Sequence, residues 1–305
     1  MRTAAYPRPA MVLAQLSDTH LRHPDDPLVR GLIDPRPHLL QALAAVEAHS
    51  PRALVFTGDL SDDGTPESYE ELRRLVLPVA ERLGAVVVWG NGNHDSRAAF
   101  RSVLLASTPS SATRGTGEGP LNQVHHVDGL RVLWLDTTVP GADHGEVAPA
   151  SLEWLAARLA EPAVHGTIVG MHHAPLPVVQ DMAASWELHG QAELAAVLAG
   201  SGVRAILAGH DHQSGFGTFA GIPVHAATSV CYTQDLASGR GMRGQDGAQG
   251  WHLVGVHAHT VTSTVAPIAH FPTIMRTRSA AESTAELAAR GIVIADLPAA
   301  APNTP

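Results

Sequence analysis

A single cysteine, Cys231, is present among the 305 residues, so no intrachain disulfide can form and zinc sites built on paired thiolates are excluded. Basic charge is also short. Twenty Lys and Arg face 29 Asp and Glu, for a net charge of −9. That leaves no basic footprint for nucleic acid and no polybasic patch for a membrane surface. No apolar run approaches the ~18–20 residues of a membrane span. The opening "MRTAAYPRPAMVLAQLS" carries an early Arg and two prolines but no apolar core of signal-peptide type. A cytoplasmic protein is expected. Aromatics make up only 4%, whereas apolar content of 45% and charged content of 16% are those of a soluble globular chain. Histidine is the residue in excess, at 19.

Apolar runs of strand length recur at 11–17, 53–58, 85–90, 167–172 and 203–209. Helical periodicity fills several gaps between them. Leu39, Leu40, Leu43 and Val46 mark a helix over 36–49, and Tyr69, Leu72, Leu75 and Val76 mark one over 66–83 that Pro78 is expected to kink or end. Residues 149–160 and 190–200 are further helix candidates. Asp128-Gly129 sits between two strand-like runs as a two-residue hairpin turn. Strands alternate with helices early and cluster in hairpins later. This pattern predicts an α/β domain over 10–270 with two stacked mixed sheets and helices outside. Residues 107–122 read as a surface insertion. A tail over 271–305 carries one helical patch and ends in a stretch expected to be disordered.

The histidines and carboxylates are not scattered. Asp18-Thr19-His20 follows the first strand, Asp59 the second, and Gly92-Asn93-His94-Asp95 the third. His172-His173 ends the fourth, and Gly209-His210-Asp211-His212 follows the fifth. Strand C-termini form the ligand-binding edge of open α/β sheets, so these groups can converge. Carboxylate, imidazole and amide oxygen without thiolate suit Mn, Fe, Zn or Co. Six or seven donors are too many for one tetrahedral ion and right for two. Two ions roughly 3.5–4 Å apart polarise a water and clamp the oxygens of an in-line displacement at phosphorus. Taken singly, each motif also has an ordinary reading as a turn, a cap or a buried histidine. Five such readings coinciding at strand ends are far less economical than one shared site.

The order D-x-H, G-D, G-N-H-D, H-H, G-H-x-H resembles the calcineurin-like metallophosphoesterase superfamily over residues 18–212. The stretches "LSDTHL", "VFTGDLSDDG", "LDTTVPGADHGE", "AILAGHDH" and "CYTQDL" extend that resemblance to class III cyclic-nucleotide phosphodiesterases of mycobacterial type, over about residues 10–268. The resemblance implies an αββα sandwich with two metal ions, Fe plus Mn, or Zn or Fe in the second place. It assigns Asp18, His20 and His212 to the first metal, Asn93, His172 and His210 to the second, and Asp59 to the bridge. It sets His94 at the substrate phosphate, stabilising the transition state or protonating the leaving oxygen. Asp95 either supports His94 or caps a helix.

Asp62 or Asp63 supports the metals or caps the next segment. His173 and His144 are candidate substrate contacts, and Tyr232, Gln234 and Asp235 lie in a loop that lines the nucleotide pocket or is structural. The implied reaction is hydrolysis of a small-molecule phosphodiester, a 3′,5′-cyclic nucleotide such as cyclic AMP, to a 5′-monophosphate by a metal-activated water, in a homodimer. Linear diesters such as glycerophosphodiesters are the alternative substrates. A catalytically silent binding protein is the remote one, since a degenerate member usually loses a ligand and all seven are present with His94. One departure stands out. Asn91 occupies a position that is usually apolar in the family.

Overall fold

The computed structural model describes residues 2–106 and 119–296. Of the insertion expected at 107–122, residues 107–118 lie outside that range, as does the end of the tail. After a short strand β1 (Arg2–Thr3), the chain lays down β2 (Met11–Leu16), α1 (Arg36–Glu47), β3 (Ala53–Thr57), α2 (Pro66–Leu83), β4 (Val86–Gly90) and a short α3 (Arg97–Phe100). The hairpin β5 (Gln123–Val127) and β6 (Leu130–Trp134) follows, turning at Asp128-Gly129 as its sequence demands. Then come α4 (Pro149–Leu159), β7 (Thr167–His173), α5 (Gln191–Leu198), β8 (Val203–Gly209), β9 (Gly215–Phe219) and β10 (Ile222–Ala226). The strands β11 (Thr233–Gln234), β12 (Gly244–Gln245), β13 (Gly250–Val256) and β14 (Val261–Pro267) precede α6 (Ala280–Ala289) and β15 (Ile292–Val293).

Two mixed sheets result. One has five strands in the order β14-β13-β2-β3-β4, the other six in the order β5-β6-β7-β8-β10-β9. The strands that carry the motifs, β2, β3 and β4 in one sheet and β7 and β8 in the other, run parallel within each sheet. Their inner faces share a core of Leu13, Val55 and Val88 with Val132, Ile168 and Leu207. Leu39, Leu43, Leu72 and Val76 of α1 and α2 cover the outside of the first sheet, and Leu155, Leu194 and Leu198 of α4 and α5 that of the second. The αββα architecture expected from the sequence is the one observed.

One expectation needs correction. Pro78 neither ends nor breaks α2, which continues to Leu83. The helix buries Leu72, Val76, Val79 and Ala80 on both sides of the proline. That packing offsets the lost backbone hydrogen bond. Thr65 caps the start of α2 by accepting from the Ser68 amide, and Gly84 at φ 61° ends it. The helical patch expected in the tail is α6. Ser279 and Glu282 form a capping box for α6, and β15 pairs in parallel with β1, so the last described residues return to the first.

Two histidines far from the motifs make stability pH-dependent. His125 and His252 are buried, and burial holds both imidazoles down to about 4, with His126 and His225 respectively adding to the effect. Their folded pKa lies below the unfolded value of about 6.5. Each therefore contributes stability that is complete above pH 6.5 and is lost as pH falls toward 4, at up to about 1.4 kcal/mol per pH unit. Urea unfolding between pH 7 and pH 4.5 will show a shallower loss for H125Q and H252Q than for the parent. Parallel profiles would mean that these rings protonate in place. The difference in slope isolates them from carboxylates titrating in the same window.

Candidate metal centre

All five motifs meet at one end of the sandwich, across the gap between the two sheets. Asp18, His20, Asp59 and His212 offer donor atoms within 4.8 Å of one another, and so do Asp59, His172 and His210. Asp59 belongs to both groups. Its Oδ2 lies 3.4 Å from His172 Nε2 and 3.7 Å from His20 Nε2. Asn93 Oδ1 is 3.1 Å from His172 Nε2. Among the seven expected ligands, Asp18, His20, Asp59, His172 and His212 are almost fully buried.

The backbone bends to bring them there. Asp18, His20, Asp59, His210 and His212 all have positive φ, between 45° and 79°. Left-handed conformations are costly for such residues and cluster where a site over-determines them. Two glycines make room. A Cβ on Gly92 would lie 2.3 Å from the Asp59 backbone nitrogen, and one on Gly58, at φ +100°, would lie 2.2 Å from His172 Nδ1. The glycine of each motif is thus set by the close approach of another motif's ligand.

Three of the four ligand histidines have one ring nitrogen hydrogen-bonded from behind, and the fourth, His20, faces a carboxylate. His172 Nδ1 donates to the Thr57 carbonyl at 2.8 Å, His210 Nε2 to Trp186 at 2.9 Å and His212 Nδ1 to Tyr232 at 2.8 Å. His20 Nδ1 lies 3.3 Å from Asp62 Oδ1. A carbonyl accepts only from N–H, so in the neutral forms of His172, His210 and His212 the other nitrogen carries the lone pair and faces the centre. His20 Nε2 then meets His212 Nε2 at 3.0 Å, and His210 Nδ1 meets His172 Nε2 at 3.1 Å. With all four rings neutral, these contacts set lone pair against lone pair beside two buried carboxylates, an arrangement that cations relieve. The rearward partners are those that orient metal-bound imidazoles. The donor set fits two metal ions.

The two buried carboxylates dominate the electrostatics of the cluster. Burial opposes charge on His172, yet Asp59 and Asp18 push it up to about 9. Burial and Asp59 raise Asp18 to about 6, against the lowering pull of His172 and His20. Asp59 stays well below the usual carboxylate range despite its burial, because His172 and His20 face it. Burial drives His210 and His212 well down, which keeps them neutral as ligation requires.

His94 is the exposed member. Its backbone N–H donates to Asp59 Oδ1 at 2.9 Å, while its side chain, 38% exposed, stands edge-on to His20 at 4.9 Å. Asp62 backs it, with its carbonyl 3.3 Å and its Oδ1 3.7 Å from His94 Nδ1. Asp62 is itself gripped by Arg22 at 2.7 Å. Burial opposes its ionisation, yet His20 and Arg22 hold it down to about 2. Of the two acidic candidates, Asp62 therefore serves the site. Asp63 ties turns by accepting from His23 and Thr65.

The same contacts bear on other expectations. Asp95 neither supports His94 nor caps a helix. Its oxygens accept from the backbone of Leu60, Ser61 and Gly92 and from the Tyr69 hydroxyl, binding the loop after β3 to the loop after β4, and Ser96 is the cap of α3. His173 is fully buried, with Nδ1 at Thr137 Oγ1 (2.8 Å) and Nε2 at the Asp143 carbonyl (3.0 Å), so it lies behind the ligands rather than at a substrate surface. His144 stacks on His189 with centroids 4.5 Å apart, and its contact with substrate stays a proposal.

Asn91, the departure from the family pattern, is matched by its neighbours. It donates to Asp136 Oδ1 at 2.9 Å and accepts from Trp134 Nε1 at 3.0 Å. Trp186, Thr57, Arg22 and Asp136 were not identified from the sequence. Trp186 and Thr57 act through backbone carbonyls, which leave no side-chain signature.

The comparisons agree with this geometry. A Rhodococcus erythropolis protein named "Probable cyclic nucleotide phosphodiesterase" is 46% identical over 297 residues, covering 96% of each chain. A Mycobacterium tuberculosis protein named as a cAMP/cGMP dual specificity phosphodiesterase is 47% identical, over 96% of this chain and 91% of its own. Both alignments extend well into the tail, beyond the 10–268 span expected from the motifs. In fold, a dimetal phosphatase from Danio rerio superposes with a TM-score of 0.55 at 14% identity, over 84% of this chain and 99% of its own. The calcineurin-like phosphoesterase family model matches residues 11–214, which hold all five motifs, and the chain belongs to that family.

Proposed function

We propose that this protein is a dinuclear-metal phosphodiesterase that hydrolyses 3′,5′-cyclic nucleotides to 5′-monophosphates. The observation that carries the reading is the inward-facing set of seven donors, shared through Asp59, with the exposed His94 beside it. Asp18, His20, Asp59 and His212 would hold one ion, and Asp59, Asn93, His172 and His210 the other. Iron with manganese, zinc or a second iron suits these oxygen and imidazole donors. When bound, such a pair polarises phosphoryl oxygens and makes water a competent nucleophile at neutral pH.

The chain's own residues do the rest. Backbone carbonyls and Asp62 fix the imidazoles, so little reorganisation accompanies the reaction. Phosphorus gains an oxygen from water, its bond to O3′ breaks, and O3′ leaves with a proton. His94, backed by Asp62, would donate to that oxygen. The two relatives named as cyclic nucleotide phosphodiesterases support the choice of substrate. Among the described residues no helix is long and apolar enough to cross a membrane.

The test is product analysis. Purified protein loaded with manganese is incubated with 3′,5′-cyclic AMP and, separately, with a glycerophosphodiester. Conversion of cyclic AMP to 5′-AMP is the expected result. Cleavage of the linear diester alone would keep the metal centre and overturn the substrate.

A further inference from the structure

Beside the metal-ligating cluster the structure has a cleft of about 510 Å³, in the size range of small-molecule sites. One wall is the loop at 29–33, closed on itself by the Val29–Ile33 bridge. The other is the small β11–β12 ribbon, braced by Arg243 on Asp235. Tyr232 joins the cleft to the centre. Its ring lies 4.3 Å from that of His212 and 5.9 Å from that of His20, and it also lines the cleft. Arg30 stands over the same ring at 5.8 Å.

Resting on the reading above, we infer that this cleft is the subsite for the nucleobase of the substrate, and that it accommodates adenine. Three observations support this. Leu32 is 82% exposed and Met242 36% exposed, so the cleft offers apolar surface that the fold itself does not cover, next to polar groups. Gln234 and Gln245 supply amides, each with adjacent donor and acceptor groups. Gln234 Oε1 is buried without a hydrogen-bond partner among the described residues, and Gln245 Nε2 is held by Thr233 Oγ1 at 3.2 Å.

A side-chain amide pairs with the N6/N7 edge of adenine, its oxygen accepting from N6 and its nitrogen donating to N7. A purine also covers more of the Leu32 and Met242 surface than a pyrimidine does. A phosphate at the metals therefore places its nucleoside past Tyr232 into a site with both stacking surface and edge-reading groups.

The test compares the holoenzyme with Q245A and L32A. Leu32 is exposed, so its replacement leaves the fold intact. The substrates are 3′,5′-cyclic AMP and the corresponding abasic cyclic ribose phosphate. Calorimetry compares 5′-AMP with ribose 5-phosphate. The wild type is expected to prefer the base-bearing member of each pair by about tenfold or more, and each variant to reduce that preference by about tenfold, through KM rather than kcat. Equal binding of 5′-AMP and ribose 5-phosphate, or an unmoved preference in both variants, would overturn the subsite. If no cyclic phosphate is hydrolysed but 5′-AMP binding still depends on Gln245 and Leu32, the subsite stands and the proposed reaction fails.

Discussion

Asp59→Asn is expected to lower kcat/KM for diester hydrolysis by at least about a hundredfold and to reduce the metal bound per chain. Replacing a residue that merely orients a ligand typically costs about 10–100-fold in metal affinity or activity, so the shared ligand itself should lie at or beyond the upper end. The substitution is nearly isosteric. Its Oδ1 can still accept from the His94 amide, so the loop after β4 stays in place. What disappears is the negative charge facing His172 at 3.4 Å and His20 at 3.7 Å, together with one of the two oxygens able to bridge. Metal analysis by mass spectrometry and steady-state kinetics on the same preparation check this. Parent-like activity with two ions retained would remove Asp59 from the bridge, and with it the mechanism built on that position.

Replacing His94 should separate metal binding from chemistry. In H94Q the metal content is expected to remain that of the parent, because the His94 side chain belongs to neither group that shares Asp59 and its backbone link to Asp59 survives. The kcat for cyclic AMP should fall by about 10²–10⁴, the range for a positioned proton donor. The fall should be much smaller for a diester with a nitrophenolate leaving group, which departs without needing a proton. Equal losses on both substrates would mean that the ring stabilises charge at phosphorus and does not protonate O3′. No loss on either would take His94 out of the reaction.

Much of this was legible in the chain. Apolar runs of strand length ending in Asp, Asn or His identified the strands, and their C-terminal ends placed five motifs on one edge. The residues that bring the ligands together are short-range ones, Gly58 and Gly92, adjacent to the donors in sequence. The roles of Asp95 and His173 were not legible. A carboxylate next to a candidate acid invites the reading of a dyad, and only the approach of the Leu60, Ser61 and Gly92 amides shows that it is a strut between two loops. The same holds for Pro78. Local propensity argues for a break, and the buried face on either side of it overrides that propensity.

The sequence by itself determined the class of fold, the donor atoms and the number of ions they suit, because those follow from residue type and from position at strand ends. Tertiary structure decided the rest. It chose the protonated nitrogen of each imidazole through the carbonyls of Thr57, Trp186 and Tyr232, gave Asp62 rather than Asp95 to His94, and opened a cleft beside Tyr232. Those contacts join residues from 20 to 115 positions apart. Hydrogen-bond direction and cavity shape depend on where distant backbone comes to rest, which residue spacing along a chain does not encode.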